Sequence, residues 1–229
     1  KLSIIVCVFN EVSTIQKIYD EIVDVKLINN YEKEIIIIDN NSTDGTKEIL
    51  KKIKNKNTKI IFQDKNLGKG NSIIEGIKIS TGNFTIFQDA DLEYSPKNYN
   101  LLLNKIVEDN LDAVFGSRVK SNADYHVYYL NKIAVLIFSK LINFFYNGNF
   151  TDTATNHKLI KTNILKKMNL ESKSFALDFE ISIKLSKLNI KYDEVAIDYK
   201  PRKYNEGKKI NMVDALKSFY VIIINLIKN

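Results

Sequence analysis

Asp89 and Asp91 are separated by one residue and follow an apolar run at residues 83–87, with only Gln88 between the run and Asp89. A strand that ends in Asp-x-Asp directs hard oxygen ligands to one point, which suits Mg²⁺ or Mn²⁺ carrying a diphosphate. Asp-x-Asp also occurs by chance in solvated loops, so the pattern becomes informative only with its neighbours. It predicts a metal-diphosphate site if other polar side chains converge on it.

The two arginines are the second chemical signal. The chain has 34 basic residues, and only Arg118 and Arg202 are arginine. Arginine presents a planar fork that binds phosphate or carboxylate through two hydrogen bonds, which lysine cannot imitate. These positions therefore indicate either phosphate recognition or two structural ion pairs.

Composition bounds the class of protein. A length of 229 residues with 45% hydrophobic residues is enough for one large α/β domain. Cys7 is the single cysteine, which excludes a disulfide framework within this chain and favours a reducing compartment. The net charge of +7 would permit binding to nucleic acid or to an anionic membrane, but the lysines are spread over the whole sequence, so most are expected on a solvated surface and no nucleic-acid partner is expected.

The first half alternates between two hydrophobic periodicities. It predicts strands at residues 2–8, 34–38, 59–62, 83–87 and 112–116, and helices at residues 12–28, 42–53, 70–80 and 96–107. This βαβαβαβαβ series predicts an α/β fold with a mostly parallel, doubly wound sheet and helices on both faces. Ligands of such sheets bind at the carboxyl ends of the strands.

Polar residues occur at these predicted ends. They are Asn10 and Glu11 after the first strand, Asp39 after the second, Asp89 and Asp91 after the fourth, and Ser117 and Arg118 after the fifth. The loop at residues 66–70 adds Lys69 at a helix start, a plausible phosphate neighbour. Neither a dinucleotide fingerprint nor a P-loop is present, which argues against NAD enzymes and P-loop NTPases.

At this point the ordered motifs resemble the family 2 glycosyltransferases with the GT-A fold. They occupy residues 5–11, 38–46, 66–70 and 88–94, and residues 116–118, 151–158, 175–180, 199–202 and 206–210 are similar to the dolichyl-phosphate mannose synthase and polyprenyl-phosphate glycosyltransferase branch. The chain departs from the family pattern at Cys7, Asn40 and Asn41, where Pro, Asp and Gly are usual. Asn41 can replace Gly because asparagine tolerates the left-handed conformation.

The resemblance implies roles for particular residues. The nucleotide of a GDP- or UDP-sugar would contact Phe9, Asn10, Glu11, Asp39, Lys69, Asp89 and Ala90. The metal, Mg²⁺ or Mn²⁺, would be held by Asp89, Asp91 and Glu93. The reaction would depend on Asp89, Asp91, Arg118, Arg202 and Lys209, and the acceptor phosphate would contact Arg118, Arg202, Lys208 and Lys209.

The implied acceptor is a polyprenyl or dolichyl phosphate. A phosphate monoester has a second pKa near 6, so it is mostly dianionic at neutral pH and attacks an anomeric carbon without a protein base. It requires positioning and charge compensation, which arginines supply. The two histidines fit this expectation, since His126 is predicted to lie in a loop and His157 to pack or form a hydrogen bond.

Two apolar segments bear on membrane contact. Residues 130–146 and 215–227 are strongly apolar, but neither is a convincing membrane span. The expected organisation is a nucleotide-sugar-binding half at residues 1–120, an acceptor-side half of the same domain at residues 121–210 and an amphipathic or membrane-proximal helix at residues 211–229. We expect action at the cytoplasmic face of a membrane, through peripheral contact or a C-terminal anchor, with the oligomeric state left open.

Three alternatives remain open from the sequence. A family 2 enzyme could transfer to a sugar hydroxyl in cell-surface glycan synthesis, with Asp152 or Glu180 as the base. A nucleotidyltransferase would need a Gly-rich Lys loop after the first strand, which is missing. A noncatalytic sugar-nucleotide-binding protein would need Asp39 but not the full set of acids and arginines.

Overall fold

The computed structural model describes residues 1–121, 129–203 and 212–227. Seven strands form one sheet: β1 Leu2–Val8, β2 Lys33–Asp39, β3 Thr58–Phe62, β4 Phe84–Asp89, β5 Ala113–Ser117, β6 Lys158–Lys161 and β7 Tyr192–Ala196. Eight helices accompany them in the described residues: α1 Ile15–Asp24, α2 Thr46–Leu50, α3 Lys69–Ile79, α4 Tyr99–Glu108, α5 Tyr129–Tyr146, α6 Thr162–Lys167, α7 Leu177–Lys187 and α8 Met212–Ile227.

The sheet order is β3-β2-β1-β4-β6-β5-β7, and every pairing is parallel except those made by β6. The predicted α/β class with a mostly parallel sheet is therefore confirmed. The sequence analysis did not predict β6 or β7, so it missed that β6 separates β4 from β5. β6 has four residues, too few to show a periodicity.

Both faces of the sheet are covered, which explains the continuous apolar runs. Alternate residues of β1 point to opposite sides, with Ile4 and Val6 in one core and Ile5 in the other. Helices α1 and α4 cover the first face, through Ile15, Ile18, Ile22, Leu102 and Ile106. Helices α3, α5, α7 and α8 contribute to the second core, through Ile73, Ile77, Ile142, Ile181, Ile183 and Ile222.

Several predicted helix boundaries were too wide. The first helix begins at Ile15 rather than residue 12, and the second is only Thr46–Leu50. Gly45 precedes α2 with φ 100°, and the Asp44 carboxylate accepts hydrogen bonds from the backbone N–H groups of Val12 and Thr46 at 3.0 Å. Asp44 therefore joins the start of α2 to the loop after β1.

Candidate active site

The acidic strand ends lie side by side because β1 is flanked by β2 and β4. In the register, Asp39 lies opposite Val8 and Asp89 lies opposite Cys7. The loop after β1, which carries Asn10 and Glu11, therefore projects between the two acids. The convergence expected from the order of polar residues is present at this edge of the sheet.

Asparagines organise the wall of the site formed by the loops after β1 and β2. Asn10 and Asn41 both have positive φ, 51° and 63°, so Asn41 adopts the left-handed turn predicted for it. The Asn10 backbone N–H donates to Ser42 Oγ at 2.9 Å, and the Thr43 N–H donates to Asn10 Oδ1 at 2.8 Å. The fully buried Asp39 carboxylate accepts the Ser42 N–H at 3.2 Å.

Asn40 also has a structural role that aspartate could not copy. Its amide nitrogen donates to Asn66 Oδ1 at 2.9 Å, and its amide oxygen accepts the Leu67 N–H at 2.8 Å. Because a carboxylate cannot donate, the asparagine ties the loop after β2 to the loop before α3 in a way that the usual family aspartate would not.

Lys69 begins α3 and contacts Asp89 directly. Its Nζ lies 2.8 Å from Asp89 Oδ1 and 5.3 Å from the centroid of the Phe175 ring. Gly68 has φ 92°, and a Cβ there would lie 2.2 Å from the carbonyl oxygen of Lys173. The glycine therefore lets the segment before α7 approach the helix start that carries Lys69.

Asp91 lies in a strained turn beside other carboxylates. Leu92 has φ 64°, an uncommon conformation for a bulky residue, and the Glu93 N–H donates to Asp91 Oδ1 at 3.1 Å. Burial, together with the nearby Asp89 and Glu93 carboxylates, raises the pKa of Asp91 to about 7, while Arg202 opposes the rise. Negative charge at this turn is thus only partly compensated by the protein.

Arg202 reaches this acidic turn from far along the chain. Its Nη2 donates to Asp91 Oδ2 at 2.9 Å, and its Nη1 donates to Glu11 Oε2 at 3.2 Å. Glu93 accepts the backbone N–H of Arg202 at 2.7 Å and the Tyr199 hydroxyl at 2.5 Å. The structure therefore brings together four predicted site residues and adds Tyr199, for which the sequence analysis assigned no role.

Arg118 forms a buried bidentate pair with Asp152. Its Nε and Nη2 donate to the two carboxylate oxygens at 2.7 and 2.8 Å, and the Arg118 side chain is 7% exposed. The guanidinium also lies 5.1 Å from the Tyr199 ring centroid. The fork is therefore used by a carboxylate in this structure, and binding of an acceptor phosphate by Arg118 stays a prediction.

Glu180, the other acid considered as a base, also has partners, and so does the neighbouring Asp178. Glu180 accepts the backbone N–H groups of Glu171 and Ser172 at 2.9 and 2.7 Å and pairs with Lys184 at 2.8 Å. Asp178, which the sequence analysis did not single out, is buried and pairs with the buried Lys158 at 2.7 Å.

Phe9, in the loop after β1, is partly exposed, and Ala90, which lies between Asp89 and Asp91 in the sequence, is buried. Lys208, Lys209 and His126 lie outside the described residues. Their predicted roles stay predictions.

His157 packs in the core under the site, as predicted. Its ring lies 4.8 Å from that of Tyr94 and 5.7 Å from that of Tyr99, centroid to centroid. Neither ring nitrogen has a hydrogen-bond partner among the described residues, and burial lowers the pKa of His157 to about 3. An uncharged imidazole is thus part of the folded state.

This histidine makes stability depend on pH. Unfolded histidine binds a proton below about pH 6.5, whereas folded His157 does so only near pH 3, so its contribution is present at neutral pH and is lost as pH falls between these values. We expect the unfolding free energy to drop by about 2 kcal/mol more between pH 7 and pH 5 in the native protein than in His157→Phe. Urea denaturation at both pH values measures this difference, and parallel losses in the two proteins would contradict it.

The donor set fits a divalent cation. Asp89 and Asp91 offer hard oxygens, and burial together with the neighbouring Asp89 and Glu93 carboxylates raises the pKa of Asp91, an effect that a bound cation would oppose. In the part of the chain that the structure describes, no group of three or more His, Cys, Asp or Glu side chains is arranged as a complete metal cluster. Magnesium commonly needs only one or two protein carboxylates when substrate phosphates complete its shell.

Comparison with solved structures gives the class of protein that this fold and site define. Glucosyl-3-phosphoglycerate synthase from Mycobacterium tuberculosis, crystallised with Mn²⁺, UDP and phosphoglyceric acid, matches with a TM-score of 0.67 at 15% identity. The match covers 99% of this chain and 78% of that chain. The chain thus has the GT-A fold of glycosyltransferases, as predicted.

The chain belongs to glycosyl transferase family 2, whose profile matches residues 3–168. An uncharacterized protein of Methanocaldococcus jannaschii is 28% identical over 211 residues, which are 85% of this chain and 87% of that protein. The cholesterol galactosyltransferase of Borreliella burgdorferi is 33% identical over 131 residues, which are 57% of this chain but only 34% of that protein. Family membership confirms the prediction of an enzyme, a hexosyltransferase.

Proposed function

We propose that this enzyme transfers a hexose from a nucleotide diphosphate sugar, of the GDP-mannose or UDP-glucose type, to a polyprenyl or dolichyl phosphate with inversion. The observation that carries the proposal is the contact between Arg202 and Asp91, two residues after Asp89, at the edge of the sheet where the strand that carries Asp39 also ends. Asp89 and Asp91 suit a cation-bound diphosphate, and the adjacent guanidinium of Arg202 suits a second phosphate. The UDP and Mn²⁺ bound by the mycobacterial enzyme support the donor and metal parts of this proposal.

The donor half of the site would be held by the loops after β1, β2 and β4. Asp39, buried at the junction of β1 and β2, would accept hydrogen bonds from a nucleotide base, with Phe9, Asn10 and Glu11 in the loop after β1 contacting the same nucleotide. Lys69 lies where it can share its charge between Asp89 and a diphosphate. Asp89 and Asp91 would hold Mg²⁺ or Mn²⁺, which when bound neutralises the charge that develops on the leaving diphosphate.

The acceptor half would be formed by the segment that carries Arg202. Its side chain is 16% exposed, and it already lies against the acidic turn, so an acceptor phosphate bound there would be adjacent to the donor. A phosphate oxygen then forms the bond to the anomeric carbon while the bond from that carbon to the diphosphate breaks. Because the phosphate is already ionised, no proton has to be removed.

Transfer assays with purified protein separate this proposal from its rivals. We expect one of a panel of UDP- and GDP-sugars to yield a glycosylated polyprenyl phosphate, identified by mass, in the presence of Mn²⁺ or Mg²⁺. Transfer only to a sterol or sugar hydroxyl would contradict the proposal of a phosphate acceptor. The assay includes a sterol acceptor because one relative is a cholesterol galactosyltransferase.

Helix α8 supports a site of action at a membrane. It has inverted polarity, since Asp214 and Ser218 are buried while large apolar side chains are exposed, namely Met212, Val213, Leu216, Phe219, Tyr220 and Ile227. Helix α5 packs against it and exposes Ile137 and Phe144. Exposed apolar surface of this extent, with lysines such as Lys140 and Lys217 beside it, suits an anionic leaflet.

None of the helices in the described ranges is long and apolar enough to cross a bilayer. The exposed apolar side chains of α5 and α8 are the basis on which we propose attachment through these helices at the cytoplasmic face of a membrane. The unpaired Cys7 fits the reducing conditions there.

Vesicle binding tests this attachment. We expect the double variant Leu216→Asn and Phe219→Asn to lower the partition onto vesicles that contain anionic lipid by about tenfold or more, because two apolar side chains no longer enter the leaflet. The matched control is Leu101→Asn and Val107→Asn, two exposed apolar residues on α4, which covers the opposite face of the sheet. Equal loss in both double variants would contradict attachment through α8.

A further inference from the structure

The segment that carries Arg202 is joined to the acidic turn by several contacts. Tyr94 and Tyr199 form an isolated antiparallel bridge, and the Lys200 N–H donates to the Glu93 carbonyl oxygen at 2.9 Å. These backbone contacts run between residues more than a hundred positions apart. They place the segment that carries Arg202 directly against the residues that follow β4.

Glu93 adds a side-chain clamp to this junction. One carboxylate oxygen accepts the Tyr199 hydroxyl at 2.5 Å, and the other accepts the Arg202 backbone N–H at 2.7 Å. Both oxygens are thus bound by the same segment, and the side chain is only 11% exposed. Hydrogen bonds to a charged acceptor are the stronger kind, so the clamp restrains where the Arg202 guanidinium can lie.

Tyr199 also contacts the other arginine. Its ring centroid lies 5.1 Å from the Arg118 guanidinium carbon and 4.8 Å from the Tyr94 ring centroid. Burial strongly raises the pKa of Tyr199, so its hydroxyl stays protonated and remains a donor to Glu93. One side chain therefore connects the clamp, through its hydroxyl, with the buried Arg118, through its ring.

We propose that Glu93 and Tyr199 are positioning residues for the acceptor phosphate, which hold the backbone of Arg202 so that its guanidinium lies beside Asp91. This inference rests on the proposed function, because it gives Arg202 the acceptor phosphate as its ligand. It assigns Glu93 a different role from metal binding, since a carboxylate that ligated a cation would have to share or release the two donors that now bind it.

Steady-state kinetics with a short polyprenyl phosphate test the clamp. Tyr199→Phe removes one hydroxyl and keeps the ring, so we expect the acceptor KM to rise about tenfold while the donor KM stays within about twofold. Glu93→Gln should act in the same direction, because its amide cannot accept from both donors. The control is Tyr192→Phe, which removes a hydroxyl that accepts the Asn149 N–H on the remote strand β7 and should leave both KM values unchanged.

Two further measurements separate positioning from the alternatives. In an Arg202→Lys background, Tyr199→Phe should add little to the acceptor KM, because the clamp acts through Arg202. Binding of Mn²⁺ in the presence of UDP or GDP, followed by electron paramagnetic resonance, should be unchanged in Glu93→Gln.

The outcomes are distinct. A native acceptor KM in Tyr199→Phe would overturn the clamp. If Glu93→Gln also bound Mn²⁺ more weakly than the native protein, Glu93 would be a metal ligand instead. A native protein that transfers to no lipid phosphate would overturn the proposed function and this inference together.

Discussion

Replacing Asp91 with asparagine is expected to lower the rate of sugar transfer by about a thousandfold or more, because the carboxylate that would hold the cation beside the leaving diphosphate is lost while the side-chain shape is kept. Asp91 lies in the strained turn after β4, in contact with Arg202 and beside Asp89 and Glu93. Initial rates at saturating donor and acceptor measure the effect.

Asp20→Asn is the matched control for this change, since Asp20 is an exposed acid on α1 that accepts a hydrogen bond from Gln16 on its own helix. It should retain the native rate. If Asp91→Asn kept a tenth or more of the native rate, Asp91 would not hold the cation that binds the reacting diphosphate.

The second large effect concerns stability. Arg118→Met should lower the unfolding free energy by about 3–5 kcal/mol, because it leaves the fully buried Asp152 carboxylate without its bidentate partner. Chemical denaturation of the native and variant proteins measures the loss. A smaller loss is expected for Arg202→Met, since the Arg202 side chain is more exposed and its acids retain other donors.

A double variant tests the reason for this loss. Arg118→Met combined with Asp152→Leu removes both charges, so it should recover much of the stability lost in the single variant. An unchanged denaturation midpoint in Arg118→Met would show that the pair contributes little. Such a result would leave Arg118 free to act chiefly on the acceptor.

The two arginines show what residue type alone can predict about a site. Their rarity predicted either phosphate recognition or structural ion pairs, and the structure gives Arg118 a buried carboxylate partner while Arg202 lies at the acidic edge of the site. Residue type indicates what a side chain can bind. It does not say which partner the fold places within reach, because Asp152 and Glu11 are brought to these arginines by the sheet and not by sequence spacing.

The order of the sheet illustrates the same limit. Residues 84–86 pair with residues 159–161, and this antiparallel insertion moves β5 one position away from β4. A four-residue strand that begins and ends with lysine carries no periodic signal, so the sequence pattern favoured a simple βαβ succession. The parallel strands were found because burial on both faces demands continuous apolar runs.

The sequence alone determined the α/β fold, the glycosyltransferase family and the acids that follow the strands, because these features depend on local hydrophobic patterns and on short ordered motifs. Only the tertiary structure decided that Glu93 binds Tyr199 and Arg202, that Arg118 pairs with Asp152, and that α8 turns its apolar side outward. Such contacts join residues that are distant in the chain. They depend on packing, which produces no periodic pattern in the sequence.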